Sequence, residues 1–451
     1  MKTDITNKAT SKKVAFYTLG CKVNQYETNG MIQQFIENGY EIVDFEDYAD
    51  IYIINTCTVT NMSDRKSRQM IRRAKDNNPN SLVVAVGCYA QVLMEKVDEI
   101  PEIDLALGTN KKNNVVEIIE NFINDKDNSK TYIDDVMHSK EYGDFGSITY
   151  TDKTRAVIKV QDGCDRFCSY CIIPFARGVV RSRNPQNVYD EIAMIASQGI
   201  KEVVITGIHV ASYGKDFKNG FGLIDLLEKI HDIPGIERIR LGSIEPLWMT
   251  NEVIERLSKL NKICHQFHLS LQSGCDDTLK RMNRRYTTSQ FEEIVNNIRH
   301  TFEDAILTTD IIVGFAGETA EEFEQTYNFL KKINFYKMHI FKYSPRKGTK
   351  AENMPNQVDG NIKEFRSKKL IELSDLNEIN YLKSYIGKKI SVLWEEEKNG
   401  VIKGHTPNYL LAEVSVQDEL LANQIVNNIN NVEVIDVDEV GLALKCRLNN
   451  N

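Results

Sequence analysis

Twice along this chain, short apolar runs rich in β-branched residues alternate with longer stretches of helical periodicity. In the first series the runs fall at 14–19, 51–54, 82–86 and 105–107. Apolar strands of this length, separated by amphipathic helices, bury both faces when they lie parallel with helices packed over them. Residues 12–125 therefore predict an α/β domain built on an open, mostly parallel sheet. The second series has runs at 156–160, 202–206, 236–241, 267–271, 307–313 and 338–343, with helical patterns such as 186–197, 289–300 and 320–333 between them. Six β-α units favour a partial (β/α)6 barrel over 155–383, and a charged helix at 361–383 leads from it into the final segment. The polar, turn-rich stretch 126–154 reads as a linker or edge segment. Runs at 390–394, 400–405, 409–416, 432–437 and 442–447 predict a small all-β barrel over 384–449, an architecture often used to bind RNA.

With 451 residues, 41% hydrophobic and 27% charged, the chain can support two or three domains with substantial cores. A net charge of −8 assigns any nucleic-acid contact to local basic patches. Nine cysteines, an odd number, behind a polar start at 1–7 that reads as no secretory leader, point to a reducing, cytoplasmic setting. No apolar run approaches the roughly 20 residues of a membrane span, so no membrane partner is expected.

The cysteines carry the chemistry. Cys164, Cys168 and Cys171 form a C-x3-C-x2-C loop after the first strand of the second series, with no nearby cysteine or histidine to complete a tetrahedral zinc site. Three thiolates on one loop can bind three irons of a four-iron cluster and leave the fourth open to an exogenous ligand. Cys21, Cys57 and Cys88 each lie just past an apolar run of the first series. Ligands of open α/β sheets gather at that edge, so the three together can converge on a second cluster; taken singly, each reads first as a small buried hydrophobe. Cys264, Cys275 and Cys446 read as core.

Polar sequences also follow the later strands: Thr206-Gly-Ile-His209, Ser243-Ile-Glu245, Gln272-Ser-Gly274 and Gly314-Phe-Ala-Gly-Glu318. The glycines serve equally to turn strands into helices, and Glu318 to cap the following helix. In 65–75 the basic residues Arg65, Arg68, Arg72 and Arg73 recur at helical spacing, and Lys363, Arg366, Lys368 and Lys369 form a second candidate patch for phosphates; a solvated helix face is the ordinary explanation. Tyr409 offers a stacking platform or a core residue, and the acidic run at 395–397 reads as a solvated turn.

The chain as a whole resembles the methylthiotransferase family of radical S-adenosylmethionine enzymes. The motifs are Thr18-Leu-Gly-Cys-Lys-Val-Asn-Gln-Tyr-Glu-Thr28, Asn55-Thr-Cys-Thr-Val-Thr60, Gly87-Cys-Tyr-Ala-Gln91, the cysteine loop ending Pro174-Phe-Ala-Arg-Gly178, Leu271-Gln-Ser-Gly274, Met282-Asn-Arg-Arg-Tyr286 and Gly404-His-Thr-Pro-Asn-Tyr409. Gly20-Cys-Lys-Val-Asn-Gln25 is similar to the subgroup acting on N6-threonylcarbamoyladenosine beside the anticodon; isopentenyladenosine and a ribosomal-protein aspartate are the substrates of sister groups.

The resemblance implies an auxiliary cluster in the N-terminal domain, a radical cluster in the barrel and a C-terminal barrel of the TRAM type. It implies two 4Fe-4S clusters and S-adenosylmethionine as cofactors. One molecule methylates a sulfur on the auxiliary cluster, and reductive cleavage of another yields the radical that attacks adenine C2. The expected partners are a tRNA anticodon stem-loop, a flavodoxin- or ferredoxin-like electron donor and a sulfur source. Position alone nominates Thr206, Gly207, Glu245, Gln272 and Arg284 for cofactor contacts, with Arg284 or Arg285 pairing a cofactor carboxylate or an RNA phosphate. A different class of reading, a non-catalytic RNA-binding protein with structural metal sites, predicts no cleavage of S-adenosylmethionine.

Overall fold

A computed structural model describes residues 12–124, 129–150, 154–416 and 419–448; the polar start and part of the 126–154 segment lie outside these. The chain forms two compact units. The first comprises the described residues up to Tyr150 with Asp162–Asp165 and Ile172–Arg183, and the second the remainder.

In the first unit, β1 (Lys13–Thr18), β2 (Glu41–Val43), β3 (Ile51–Thr56), β4 (Leu82–Gly87), β5 (Leu105–Leu107) and β6 (Thr131–Tyr132) form one parallel sheet, ordered β2-β1-β3-β4-β5-β6. All six residues of β3 are buried. Ile51 and Ile53 enter one apolar cluster and Tyr52 and Ile54 the other, as a strand covered on both faces requires. β6 falls within the expected linker, which is therefore part of the fold. Beyond it the chain crosses the helix Lys22–Glu37, where Gln33 Oε1 accepts from Thr149 N at 2.8 Å and a side chain at Gly30 would collide with Phe145 and Ile148.

The second unit opens with β7 (Arg155–Asp162). After the cysteine loop the chain passes through the two-residue strand β8 (Arg181–Ser182) of the first unit and returns for β9 (Glu202–Gly207), β10 (Arg238–Leu241), β11 (Gln266–His268), β12 (Ile306–Val313) and β13 (Lys337–Lys342). β7, β9 and β10 pair in parallel, as do β11, β12 and β13. Parallel bridges Ile239–Ile263 and Ile244–Leu269 join the two sets into one half-barrel in chain order. Alternate residues such as Ile158, Ile205, Ile239 and Phe267 pack with Ile192, Leu227 and Phe291 of the covering helices. Arg155, Glu202, Arg238 and Arg240 hold the other parity.

The last strands, β14 (Lys389–Lys398), β15 (Val401–His405), β16 (Leu411–Ser415), β17 (Ile429–Asp438) and β18 (Ala443–Leu448), close a barrel ordered β14-β15-β16-β18-β17 around the fully buried Trp394. Glu395 to Glu397, expected as a turn, continue β14. Glu395 accepts from Arg155 at 3.0 Å and pairs with His405 at 2.7 Å. A helix, Glu419–Ile425, was not foreseen.

The terminal barrel packs against the amino-end mouth of the half-barrel. Arg238 donates to the His405 carbonyl at 2.9 Å and Arg240 to the Pro407 carbonyl at 2.9 Å, while Asn408 donates to the Asp304 carbonyl at 3.1 Å. Tyr409 stacks on His405 with centroids 4.5 Å apart, and the Arg155 and Arg240 guanidiniums lie 5.0 and 4.6 Å from its ring. Tyr409 is thus packed within the unit and is not a free platform for a base. Beneath it Glu202, fully buried, accepts from Arg240 at 2.8 Å. Burial alone would raise its pKa, but Arg240 and its neighbours hold it below the usual carboxylate range. A depressed folded-state value contributes stability in full above the unfolded value, about 4.3, and loses it as pH falls through the folded one. Thermal melts should therefore show stability eroding below about pH 4. Glu202→Gln should flatten part of that erosion, and parallel curves would refute the assignment.

Candidate active site

Cys21, Cys57 and Cys88 stand at the carboxyl ends of β1, β3 and β4, adjacent strands of the first sheet. Cys21 caps the helix Lys22–Glu37, and Cys88 begins the helix Cys88–Leu93. β2 lies on the far side of β1, so the chain order reverses between β1 and β3, the place where sheets of this kind open a crevice. Gly20 has φ 100° and its pro-Cβ position lies 2.9 Å from Cys57 Sγ, so only glycine admits the loop that brings Cys21 forward. Cys57 and Cys88 are buried, whereas Cys21 is exposed. Desolvation raises the Cys57 thiol. It also raises that of Cys21, whose sulfur is enclosed although the residue as a whole is exposed, against the lowering influence of Arg177.

Next to these sulfurs lies a charge network that sequence reading missed. Lys112 Nζ donates to Glu27 at 2.5 Å and to Asn55 at 2.8 Å; Arg177 donates to Glu27 at 2.5 and 3.0 Å, to Asn24 at 2.6 Å and to Asp162 at 3.3 Å. All these side chains are buried. Asn24, Glu27, Asn55 and Arg177 lie within the quoted motifs, which was the available signal.

In the cysteine loop, Cys164 N donates to the Gly178 carbonyl at 2.9 Å, and Gly163 has φ 73° where a Cβ would run into the Val179 carbonyl. Cys171 N donates to the Cys168 carbonyl at 3.0 Å. Ser169, between them, is pinned by its N–H to the Met282 carbonyl at 3.0 Å and its hydroxyl to the Arg281 carbonyl at 2.8 Å.

Arg284 donates to Cys168 Sγ at 3.4 Å, to Glu245 at 2.8 Å, to the Ser270 carbonyl at 3.1 Å and to the Tyr286 hydroxyl at 3.0 Å. Its side chain is only 7% exposed, which removes it from contact with an RNA phosphate; Arg285 is exposed. Glu245 lies 3.5 Å from His209 Nε2 as well. Burial works against its charge, but His209 and Arg284 hold its pKa below the usual range. Gly207 abuts Gln161, whose Oε1 accepts from His209 N at 2.8 Å, and a Cβ on Gly207 would stand 2.8 Å from that oxygen. Thr206 is buried at the end of β9. Gln272 has φ 71° and donates its N–H to the Asp310 carbonyl at 2.9 Å. The structure thus joins Glu245 and Arg284 in one pair, with Thr206, Gly207 and Gln272 at the ends of neighbouring strands. Glu318, offered as a helix cap, instead accepts from Gly314 N at 2.9 Å and Arg366 at 2.5 Å, while Thr319 caps the helix Ala320–Ile333.

Cys264, Cys275 and Cys446 are buried away from both sets in the sequence. Among the described residues no three His, Cys, Asp or Glu side chains gather as ligands of a single metal ion. Zinc would need its ligands on one point, whereas each thiolate of an iron-sulfur cluster reaches its own iron. Thiolate-only donor sets of three suit the cluster.

The basic residues lie on the helix Asn61–Asn77. Arg65, Arg68, Arg72 and Arg73 line an open groove of about 800 Å³. Arg72 pairs with Glu102 at 3.2 Å, Arg73 with Glu46, and Arg68 donates to the Tyr89 hydroxyl at 2.9 Å; Arg65 and Lys66 are exposed. The second patch is largely consumed internally. Arg366 is buried on Glu318, Lys363 donates to the Tyr343 carbonyl at 3.0 Å, and Lys369 pairs with Glu324 at 3.0 Å.

The Radical SAM superfamily model matches residues 158–330, the half-barrel with its cysteine loop, and a model described as Uncharacterized protein family UPF0004 matches residues 13–108. In fold the chain is similar to the radical S-adenosylmethionine methyltransferase TsrM from Kitasatospora setae (TM-score 0.54, 16% identity, covering 74% of this chain and 77% of that one). The chain is a radical S-adenosylmethionine enzyme, a class that uses a 4Fe-4S cluster and S-adenosylmethionine. It is 42% identical over 403 residues to the threonylcarbamoyladenosine tRNA methylthiotransferase MtaB of Bacillus subtilis (strain 168), covering 88% of this chain and 89% of that protein. With the MtaB of Aquifex aeolicus (strain VF5) it shares 41% identity over 398 residues, 88% and 95% of the two chains. The chain belongs to the threonylcarbamoyladenosine tRNA methylthiotransferase family.

Proposed function

We propose that this chain replaces the C2 hydrogen of N6-threonylcarbamoyladenosine, beside the anticodon of tRNA, with a methylthio group. The observation that carries this reading is the likeness to relatives of that name over 88% of the chain. Gly20-Cys-Lys-Val-Asn-Gln25 at the first cysteine supports the same acceptor over isopentenyladenosine. No side-chain acid or base activates an sp2 C–H; bound S-adenosylmethionine and two iron-sulfur clusters supply the methylated sulfur and the carbon radical that this chemistry needs.

The protein's part is to hold and orient. Cys164, Cys168 and Cys171 would hold the radical cluster, which with S-adenosylmethionine would supply the carbon radical; Cys21, Cys57 and Cys88 would hold the auxiliary cluster. Arg284 places a positive charge beside Cys168 Sγ, and Glu245 fixes the guanidinium there. Thr206, Gly207 and Gln272 offer polar groups for the cofactor at the carboxyl ends of the strands. A flavodoxin- or ferredoxin-like protein supplies the electron, and a separate sulfur source restores the transferred atom. No helix among the described residues is long and apolar enough to cross a membrane, which suits a cytoplasmic enzyme.

Arg65, Arg68, Arg72 and Arg73 face the anticodon stem phosphates, while the modified base is splayed from a single-stranded loop. The test is nucleoside mass analysis of tRNA from a host lacking this activity. Appearance of 2-methylthio-N6-threonylcarbamoyladenosine only with the intact gene is the expected result, reduced with Arg65→Glu and Lys66→Glu together. A methylthio group on isopentenyladenosine instead would move the acceptor to the sister group. Unmodified tRNA with continued cleavage of S-adenosylmethionine would point to a protein acceptor.

A further inference from the structure

The helix Ile173–Arg177 follows the cysteine loop directly and ends by placing a buried cation on a sulfur of the other cysteine set. Arg177 Nε donates to Cys88 Sγ at 3.1 Å. The remaining guanidinium donors are spent on Glu27, Asp162 and Asn24, so the group has one geometry available and no solvent to relax into. Arg181 joins the same cluster, donating to the Arg177 carbonyl at 2.9 Å and lying 3.6 Å from Asp162. One guanidinium thus ties Cys88 to the carboxylates of Glu27 and Asp162.

We propose that Arg177 is a positioning residue of the auxiliary site: it fixes Cys88 and, through its N–H···S hydrogen bond and its charge, makes a cluster bound there easier to reduce. This rests on the reading of Cys21, Cys57 and Cys88 as cluster ligands. Reduction adds negative charge, and hydrogen bonds to sulfur and nearby positive charge favour the more negative state. Arg177, at the end of the helix that follows the cysteine loop in the chain, thereby sets the electronic state of the auxiliary site.

The experiment uses the full-length chain with Cys164, Cys168 and Cys171 changed to alanine, reconstituted with iron and sulfide so that only the auxiliary set remains. Its midpoint potential and reduced electron paramagnetic resonance spectrum are compared with those of the same protein carrying Arg177→Lys, or Arg177→Gln with Glu27→Gln, the latter keeping the buried charge count unchanged. The expected result is retained iron, a potential shifted downward and altered g-values in the double variant, with Arg177→Lys between. An unchanged potential and spectrum with iron retained overturns the proposal. If the double variant does not fold, the potential of Arg177→Lys decides alone. Adding Cys88→Ala to the background tests the underlying reading separately, since undiminished iron there would show that Cys88 is no ligand.

Discussion

Cys168→Ala should abolish reductive cleavage of S-adenosylmethionine and leave tRNA unmodified, while the protein stays folded and keeps the iron held by the other cysteine set. Cys168 lies on a loop fixed by main-chain bonds through Ser169 and Cys171, so losing one sulfur removes a ligand without removing the loop. The unassisted reaction is slow enough that enzymes of any class accelerate by about a million-fold or more, so activity should fall below detection. Cys275→Ala, at a buried position outside both sets, should retain activity. The decisive measurements are 5′-deoxyadenosine release and iron content, followed in parallel. Cleavage persisting in Cys168→Ala would end the radical assignment, and iron undiminished in Cys57→Ala would end that of the second cluster.

The second large effect is on stability. Glu27→Ala should destabilise the first unit by about 3–5 kcal/mol, because it strips Arg177 and Lys112 of the carboxylate between them and leaves both charges buried. For a unit of this size that is a fall in Tm of roughly 10 °C. Lys112→Met should cost less, since Glu27 keeps both bonds to Arg177. Burial already presses the Lys112 ammonium toward its neutral form, with Glu27 resisting. Chemical denaturation of the two single variants and the pair gives the coupling directly. A Glu27→Ala protein as stable as its parent would show that the network contributes nothing.

The division of the chain was legible because long, strongly apolar runs announce themselves. The apolar run at 51–54 became the strand Ile51–Thr56, and the helical period at 320–333 the helix Ala320–Ile333. β2 and β6, of three and two residues, are too short to carry a period, and they were missed. The acidic run at 395–397 looked like a turn because its partners, Arg155 and His405, are supplied by tertiary packing. The same limit hid the buried network: Glu27 meets Lys112 across 85 positions and Arg177 across 150. The place of Cys21, Cys57 and Cys88 at one sheet edge could be read because position after a strand implies an edge, whereas the pairing of Arg284 with Glu245 joins residues 39 positions apart and left no mark in the sequence.

The contact beneath the half-barrel bears on how such chains can be recombined. Arg155, Arg238 and Arg240 were shaped to one loop, residues 405–409, and that loop to them. An RNA-binding barrel grafted from a distant relative would bring a foreign loop to three arginines that expect these carbonyls and this tyrosine. Residues 384–449 are therefore not an interchangeable appendage, and a chimera that keeps its catalytic floor must inherit both sides of that contact from the same parent.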